Sequence, residues 1–146
     1  ELNEEKKKEL NQVLLLSGFS LIDGKKIRII EKVKNLIIDL VHQKNSQLKT
    51  NLSDYLSAEL HHDYTYITNL FTQVEGTTIE QYFISQKIEK VKELLVYDEL
   101  SLSEIAYRLN YSSVSHLSKQ FKKVTGLTPS HFKQLKENKR KPLDEL

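Results

Sequence analysis

Between Ser112 and Val124 the chain gathers Ser115, His116, Ser118, Lys119, Lys122 and Lys123 around a spaced apolar set, Leu117, Phe121 and Val124. Apolar residues four and then three positions apart have the period of a helix with one buried face. With Leu117, Phe121 and Val124 turned inward, the two serines, the histidine and the three lysines face out. That face holds hydrogen-bond donors, acceptors and positive charge, and no acid. A lysine ammonium can donate to guanine O6 and N7, and a hydroxyl can donate or accept at a base edge. Lys122, Lys123 and the helix N-terminus suit phosphate oxygens, which fix register without reading sequence. For isolated lysines the ordinary alternative is a solvated helix face.

Charge distribution favours the first reading. From residue 105 to 136 there is no Asp or Glu, against Arg108, Lys119, Lys122, Lys123, Lys133 and Lys136, a net +6. From residue 50 to 86 there is no Lys or Arg, against Asp54, Glu59, Asp63, Glu75 and Glu80, a net −5. The overall charge of +2 conceals this division. Affinity for DNA is largely neutralisation of phosphates, so the basic stretch is equipped for it and the acidic one is not.

The elements that would position these residues repeat. Ile67, Phe71, Val74, Gly76, Thr78 and Tyr82 recur fifty positions on as Leu117, Phe121, Val124, Gly126, Thr128 and Phe132. Upstream the spacing is forty-nine, pairing Leu56 with Ile105 and Leu60 with Leu109. The slip falls in a turn between two helices, which absorbs it without disturbing either. Each copy therefore reads as a helix-turn-helix followed by Gly-x-Thr. In the first, helices are predicted over 52–60 and 64–74, with Asp63 as cap and Glu75-Gly76 as stop. Thr77 or Thr78 starts a long helix to about 96, whose inner stripe is Ile79, Phe83, Ile84, Ile88, Val91 and Leu95. In the second, Ser101 caps a helix to 109, Asn110-Tyr111 turns, and Ser112 or Ser113 caps the helix ending near 124. Pro129 opens a last helix capped by Thr128. Ahead of both, Ile27, Ile30, Val33, Leu36, Ile37, Leu40 and Val41 keep a helical period over 25–42, followed by a polar connection at 43–51.

The chain has 146 residues, 38% apolar and 29% charged, a globular composition with no apolar run long enough to span a membrane. Cysteine is absent, which excludes disulfides and thiolate metal sites and is compatible with a cytoplasmic location. The chain opens on Glu1, and residues 1–15 read as an amphipathic helix, 19–22 as a short strand and Asp23-Gly24 as a turn. This is the pattern of the end of an α/β module whose beginning lies upstream. Residues 1–24 are thus expected as an α/β remnant, 25–137 as the helical domain and 138–146 as a charged, frayed tail. His61 and His62 are adjacent on a turn and project apart, with no third ligand near in sequence, so no metal is expected there. No nucleophile elbow, glycine-rich phosphate loop or paired-histidine motif occurs, and neither enzymatic activity nor a cofactor is expected.

The run from Ser103-Glu104-Ile105-Ala106 through Phe121-Lys122-Lys123 to Gly126-Leu127-Thr128-Pro129-Ser130 resembles the AraC/XylS family of transcription regulators. The resemblance covers about residues 25–136. It implies a mainly α fold of two helix-turn-helix units joined by a long linker helix, acting as a sequence-specific regulator on double-stranded DNA. The family's base contacts fall on Ser115, Ser118 and Lys119, with His116 beside them. In the first unit the corresponding outward residues are Thr65, Tyr66, Thr68 and Asn69, where Asn69 suits adenine and a threonine methyl suits thymine. Ser113, Arg108, Lys122, Lys123 and Lys87 are expected at phosphates. In the family the linker helix sets the reading helices about one DNA turn apart.

This sequence departs from the pattern at three places. Asn110 replaces the usual glycine of the second turn, His61-His62 replaces a glycine and apolar pair in the first, and Lys87 replaces an arginine in the linker. Asn tolerates the left-handed conformation, and Lys keeps charge without the bidentate fork. Residues 1–24 resemble the end of a ferredoxin-like heavy-metal-associated domain, whose metal-binding cysteine pair would lie upstream. Two other readings stay open on sequence: an acidic first unit that docks a protein such as RNA polymerase, or a docking domain of a metal-handling protein. A homodimer formed through upstream residues is also compatible.

Overall fold

The computed structural model describes residues 6–7, 24–44, 46–97 and 100–144, and among these it is helical, with no strand. The expected strand at 19–22, and with it the α/β remnant, lies outside the described residues. Of the expected helix at 1–15, Lys6 and Lys7 are described and are helical.

Seven helices follow in order: α1 Gly24–His42, α2 Leu52–Leu60, α3 Tyr64–Glu75, α4 Ile79–Tyr97, α5 Leu102–Arg108, α6 Val114–Thr125 and α7 Pro129–Asp144. They bury two separate cores. The first joins Ile30, Val33, Ile37 and Val41 of α1 to Leu56, Ile67, Leu70, Phe71 and Ile79. The second joins Ile88, Val91 and Leu95 to Ile105, Ala106, Leu109, Tyr111, Leu117 and Phe121. Helix α4 therefore seals the first core with its beginning and floors the second with its later turns. One continuous helix with a foot in each core couples the two units mechanically.

The sequence repeat is also a repeat of contacts. Phe71 meets Tyr82 edge-on, with ring centroids 5.7 Å apart at 68°, and fifty residues later Phe121 meets Phe132 at 5.5 Å and 73°. The hydroxyls of Thr78 and Thr128 each accept from the backbone N–H three residues on, at 3.1 Å. Helices α3 and α6 both end on a glycine in the left-handed region, Gly76 at φ 72° and Gly126 at φ 82°, where a side chain would be strained.

Local chemistry explains the other boundaries. Asn51 caps α2 by accepting from the Asp54 N–H at 2.8 Å. Ser101 and Glu104 form a reciprocal capping box at the start of α5. Asn110 takes the left-handed conformation, φ 62°, as the sequence predicts, and His61 takes it too, at φ 56°. Three expectations need correction. Asp63 occupies the cap position of α3, but its carboxylate accepts no cap hydrogen bond. Val124, expected inside, is 45% exposed and its counterpart Val74 37%, because the last turn before each glycine overhangs the core. The frayed tail is instead a continuation of α7 to Asp144.

Candidate nucleic-acid interface

Helix α6 is anchored inward by fully buried Leu117 and Phe121. Its N-terminus is fixed by Ser113, whose hydroxyl accepts from the His116 N–H at 3.0 Å. Ser115, His116, Lys119, Lys122 and Lys123 are exposed and Ser118 is half-buried, so the structure brings the expected readers onto one face. Among the described residues none of Lys119, Lys122 and Lys123 pairs with a carboxylate. Their charge is available to an anion.

The His116 ring is not loose. Its Nδ1 lies 3.1 Å from the Ser112 hydroxyl, and the ring meets Tyr111 edge-on, 5.1 Å between centroids at 83°. Tyr111 is buried in the turn, and its phenol donates to Gln120 Oε1 on α6 at 2.6 Å. Burial pushes that phenol's pKa above its ordinary value. On Tyr111 rests the ammonium of Lys87, 3.9 Å from the ring centroid, with the Phe83 ring 5.3 Å away. Lys87 is 8% exposed, and burial lowers its pKa from 10.5 to about 8. The structure places Lys87, expected at a phosphate, with its ammonium against the ring of Tyr111. Lys87 falls on the stripe of α4 that faces the second core, one residue before Ile88, with its ammonium against the two aromatic rings. Arg108 stays exposed at the end of α5, and its backbone carbonyl accepts from Gln47 Nε2 of the α1–α2 connection at 3.3 Å.

Helix α3 presents Thr65, Tyr66 and Asn69 exposed and Thr68 half-buried. The Tyr66 ring lies 5.2 Å from His62, so this turn touches its reading helix where Ser112 touches His116 in the other unit. Thr72 and Gln73 extend the exposed face where α6 carries Lys122 and Lys123, and the repeat offset alone identifies them. The acids of this unit stand elsewhere. Glu75 pairs with Lys34 of α1 at 2.5 Å, and Glu80 accepts from the Tyr64 phenol, whose pKa is raised to about 12 by burial and by that carboxylate. The face of α3 is therefore neutral rather than acidic, apart from Asp63 at its tip. No helix among the described residues is long and apolar enough to cross a membrane.

Two helix-turn-helix units on a shared linker helix define a double helix-turn-helix domain. Residues 56–135 match a family model described as a helix-turn-helix domain. The chain is 33% identical over 108 residues to the transcriptional regulatory protein YesN of Bacillus subtilis, covering 73% of this chain and 28% of that protein. Its structure is similar to the C-terminal domain of AraT, a response regulator from Geobacillus stearothermophilus, with a TM-score of 0.64 and 25% identity over 73% of this chain and 84% of that one. It also shares its fold with the DNA-binding domain of the global transcriptional factor AdpA, solved with a target DNA, at a TM-score of 0.64, 19% identity, and 77% and 96% coverage. The chain belongs to the AraC-type helix-turn-helix family of transcriptional regulators. It spans between 15% and 47% of the length of the first curated relatives it matches.

Proposed function

We propose that residues 25–137 bind double-stranded DNA sequence-specifically and thereby regulate transcription, with α6 as the principal reader in the major groove. The observation that carries this reading is the exposed face of α6, where three lysines without acidic partners flank Ser115, His116 and Ser118 on a helix with a fixed N-terminus. Lys119, nearest the middle of that face, donates to a guanine edge, and the serines and His116 contact neighbouring bases. Lys122, Lys123, Arg108 and the Ser113 end of the helix hold phosphates and set the register.

Helix α3 is the second reader, through Thr65, Thr68 and Asn69. Its neutral face adds contacts but little long-range attraction, so α6 brings the domain to the duplex. Helix α4 carries both units, and the two reading helices are taken to enter successive major grooves about one DNA turn apart on one side of the duplex.

The test is in vitro selection of this chain on randomised duplex DNA, followed by salt titration on the enriched sequences. Two specified blocks about ten base pairs apart are expected, with affinity falling steeply with salt. A single block would confine reading to α6. Absence of enrichment, with binding lost at modest salt, would reduce the site to a nonspecific basic surface.

A further inference from the structure

We propose that Lys87 and Tyr111 act as a positioning pair through which the linker helix fixes His116 and the setting of α6, and so the base that this helix prefers. Tyr111 lies between three partners on two helices. The Lys87 ammonium of α4 sits 3.9 Å from its ring centroid, the His116 ring abuts its edge at 5.1 Å, and its hydroxyl holds Gln120 of α6 at 2.6 Å. Ser112 pins the far side of this arrangement by its contact with His116 Nδ1. A rotation of the tyrosine ring therefore moves an outward-facing reader and shifts a side chain one turn further along the same helix.

The chemistry of Lys87 points to orientation rather than to stability. Among the described residues its ammonium forms no hydrogen bond and no ion pair, and it meets the rings of Tyr111 and Phe83 alone. Burying a charge without a counterion is unfavourable, and an apolar side chain of similar length fills such a site with less penalty. An ammonium is directional toward a ring face where a methyl group is not. A cation at this place thus selects one attitude of Tyr111, which an apolar side chain would leave free.

This inference rests on the DNA-reading role of α6, and the experiment separates the two. The whole chain and its Lys87→Met and Lys87→Arg forms are compared in two measurements. The first is the imidazole ¹H–¹⁵N resonances of His116 in the free protein, assigned with His116→Gln. The second is base preference in the selected DNA site at the position that His116→Gln relaxes. Lys87→Met is expected to displace the His116 resonances and reduce that preference at least about fivefold, with the salt dependence unchanged, because no phosphate contact is lost. Lys87→Arg is expected to restore both.

Resonances and preference within about twofold of the parent in Lys87→Met would overturn the pairing, as would failure of Lys87→Arg to rescue. If the parent selects no DNA site, the reading of α6 fails, while the His116 resonances still decide whether Lys87 controls the ring. Should Lys87→Met not fold, Lys87→Gln supplies the same comparison with the same expected displacement.

Discussion

Replacing Lys87 by Met should stabilise the domain near neutral pH, and the gain should shrink as pH rises. Burial lowers the lysine from 10.5 to about 8. At about 1.4 kcal/mol for each tenfold change in proton affinity, the charged form is disfavoured in the folded state by about 3 kcal/mol. The sign follows from proton binding. Between about 8 and 10.5 the unfolded chain holds a proton on Lys87 that the folded chain has released, so stability rises with pH across that window. Below about 8 the whole penalty is present, and by about 10.5 it is gone. The parent should therefore gain about 1 kcal/mol between roughly pH 7 and pH 9, and Lys87→Met should lack that gain. Attraction of the ammonium to the rings of Tyr111 and Phe83, about 0.5–2 kcal/mol, favours the charged form and so raises the folded pKa, shrinking the penalty and the pH-dependent gain together. With that attraction the expected advantage of the variant near pH 7 is about 1–2 kcal/mol, and the gain between roughly pH 7 and pH 9 falls in proportion. The buried phenols do not confuse the result. Tyr64, Tyr82 and Tyr111 all have raised pKa values, so their contribution is lost only as unfolded tyrosines ionise near and above 10, with the opposite sign and in both proteins. Urea unfolding of both proteins at several pH values across this window gives the comparison directly. Parallel pH profiles would refute the argument, as would a variant less stable than the parent by about 1 kcal/mol near pH 7.

Further expectations concern the reading helices and their turns. Lys119→Ala should relax base preference and cost about 1–3 kcal/mol of binding, whereas Lys123→Ala should weaken all sequences alike and lower the salt slope by about 1; equal, sequence-blind losses in competition titrations would abolish that division. Asp63→Ser, which copies Ser113 into the first unit, should tighten DNA binding and steepen its salt dependence, and unchanged titrations would mean that the tip of α3 stays away from phosphate. His61→Gly should raise stability by about 0.5–1 kcal/mol, because φ 56° is strained for a histidine and free for glycine; a lower melting temperature would show that the side chain contributes more than the strain removes. Gly126→Ala should destabilise by about 1 kcal/mol, and since an added Cβ would meet nothing within 4 Å, calorimetry should find the loss without any sign of repacking.

Much of this was legible because the determinants are local. Caps, stops and apolar period sit within a few residues of one another, so Asn110, Ser101, Thr78, Thr128 and the two glycines could be placed from sequence, and the fifty-residue repeat then doubled the information. Errors arose where a side chain's surroundings come from a distant element. Lys87 belongs to a long polar-looking helix, and only the fold shows that the turn at Tyr111 packs over it. Val74 and Val124 keep the apolar period but overhang the end of their cores. The acidity of the first unit is real in the sequence, yet two of its acids are partnered: Lys34, which neutralises Glu75, precedes the acidic stretch, and Glu80 of α4 accepts from the Tyr64 phenol at the start of α3.

That last distinction changes how the two units are compared. Counted along the chain, the first copy repels DNA; viewed on its surface, it presents Thr65, Tyr66, Thr68, Asn69, Thr72 and Gln73, a face without charge. Under the proposed function such a face would add hydrogen bonds and methyl contacts that depend weakly on salt, while the lysines of α6 would supply the salt-dependent attraction. The caps sharpen the contrast. Ser113 leaves the positive end of α6 open to an anion, whereas Asp63 puts a carboxylate at the corresponding end of α3 without closing a cap hydrogen bond. On the proposed reading, the first unit checks a sequence once the second has brought it there, and α4, with residues in both cores, links that checking to the setting of α6.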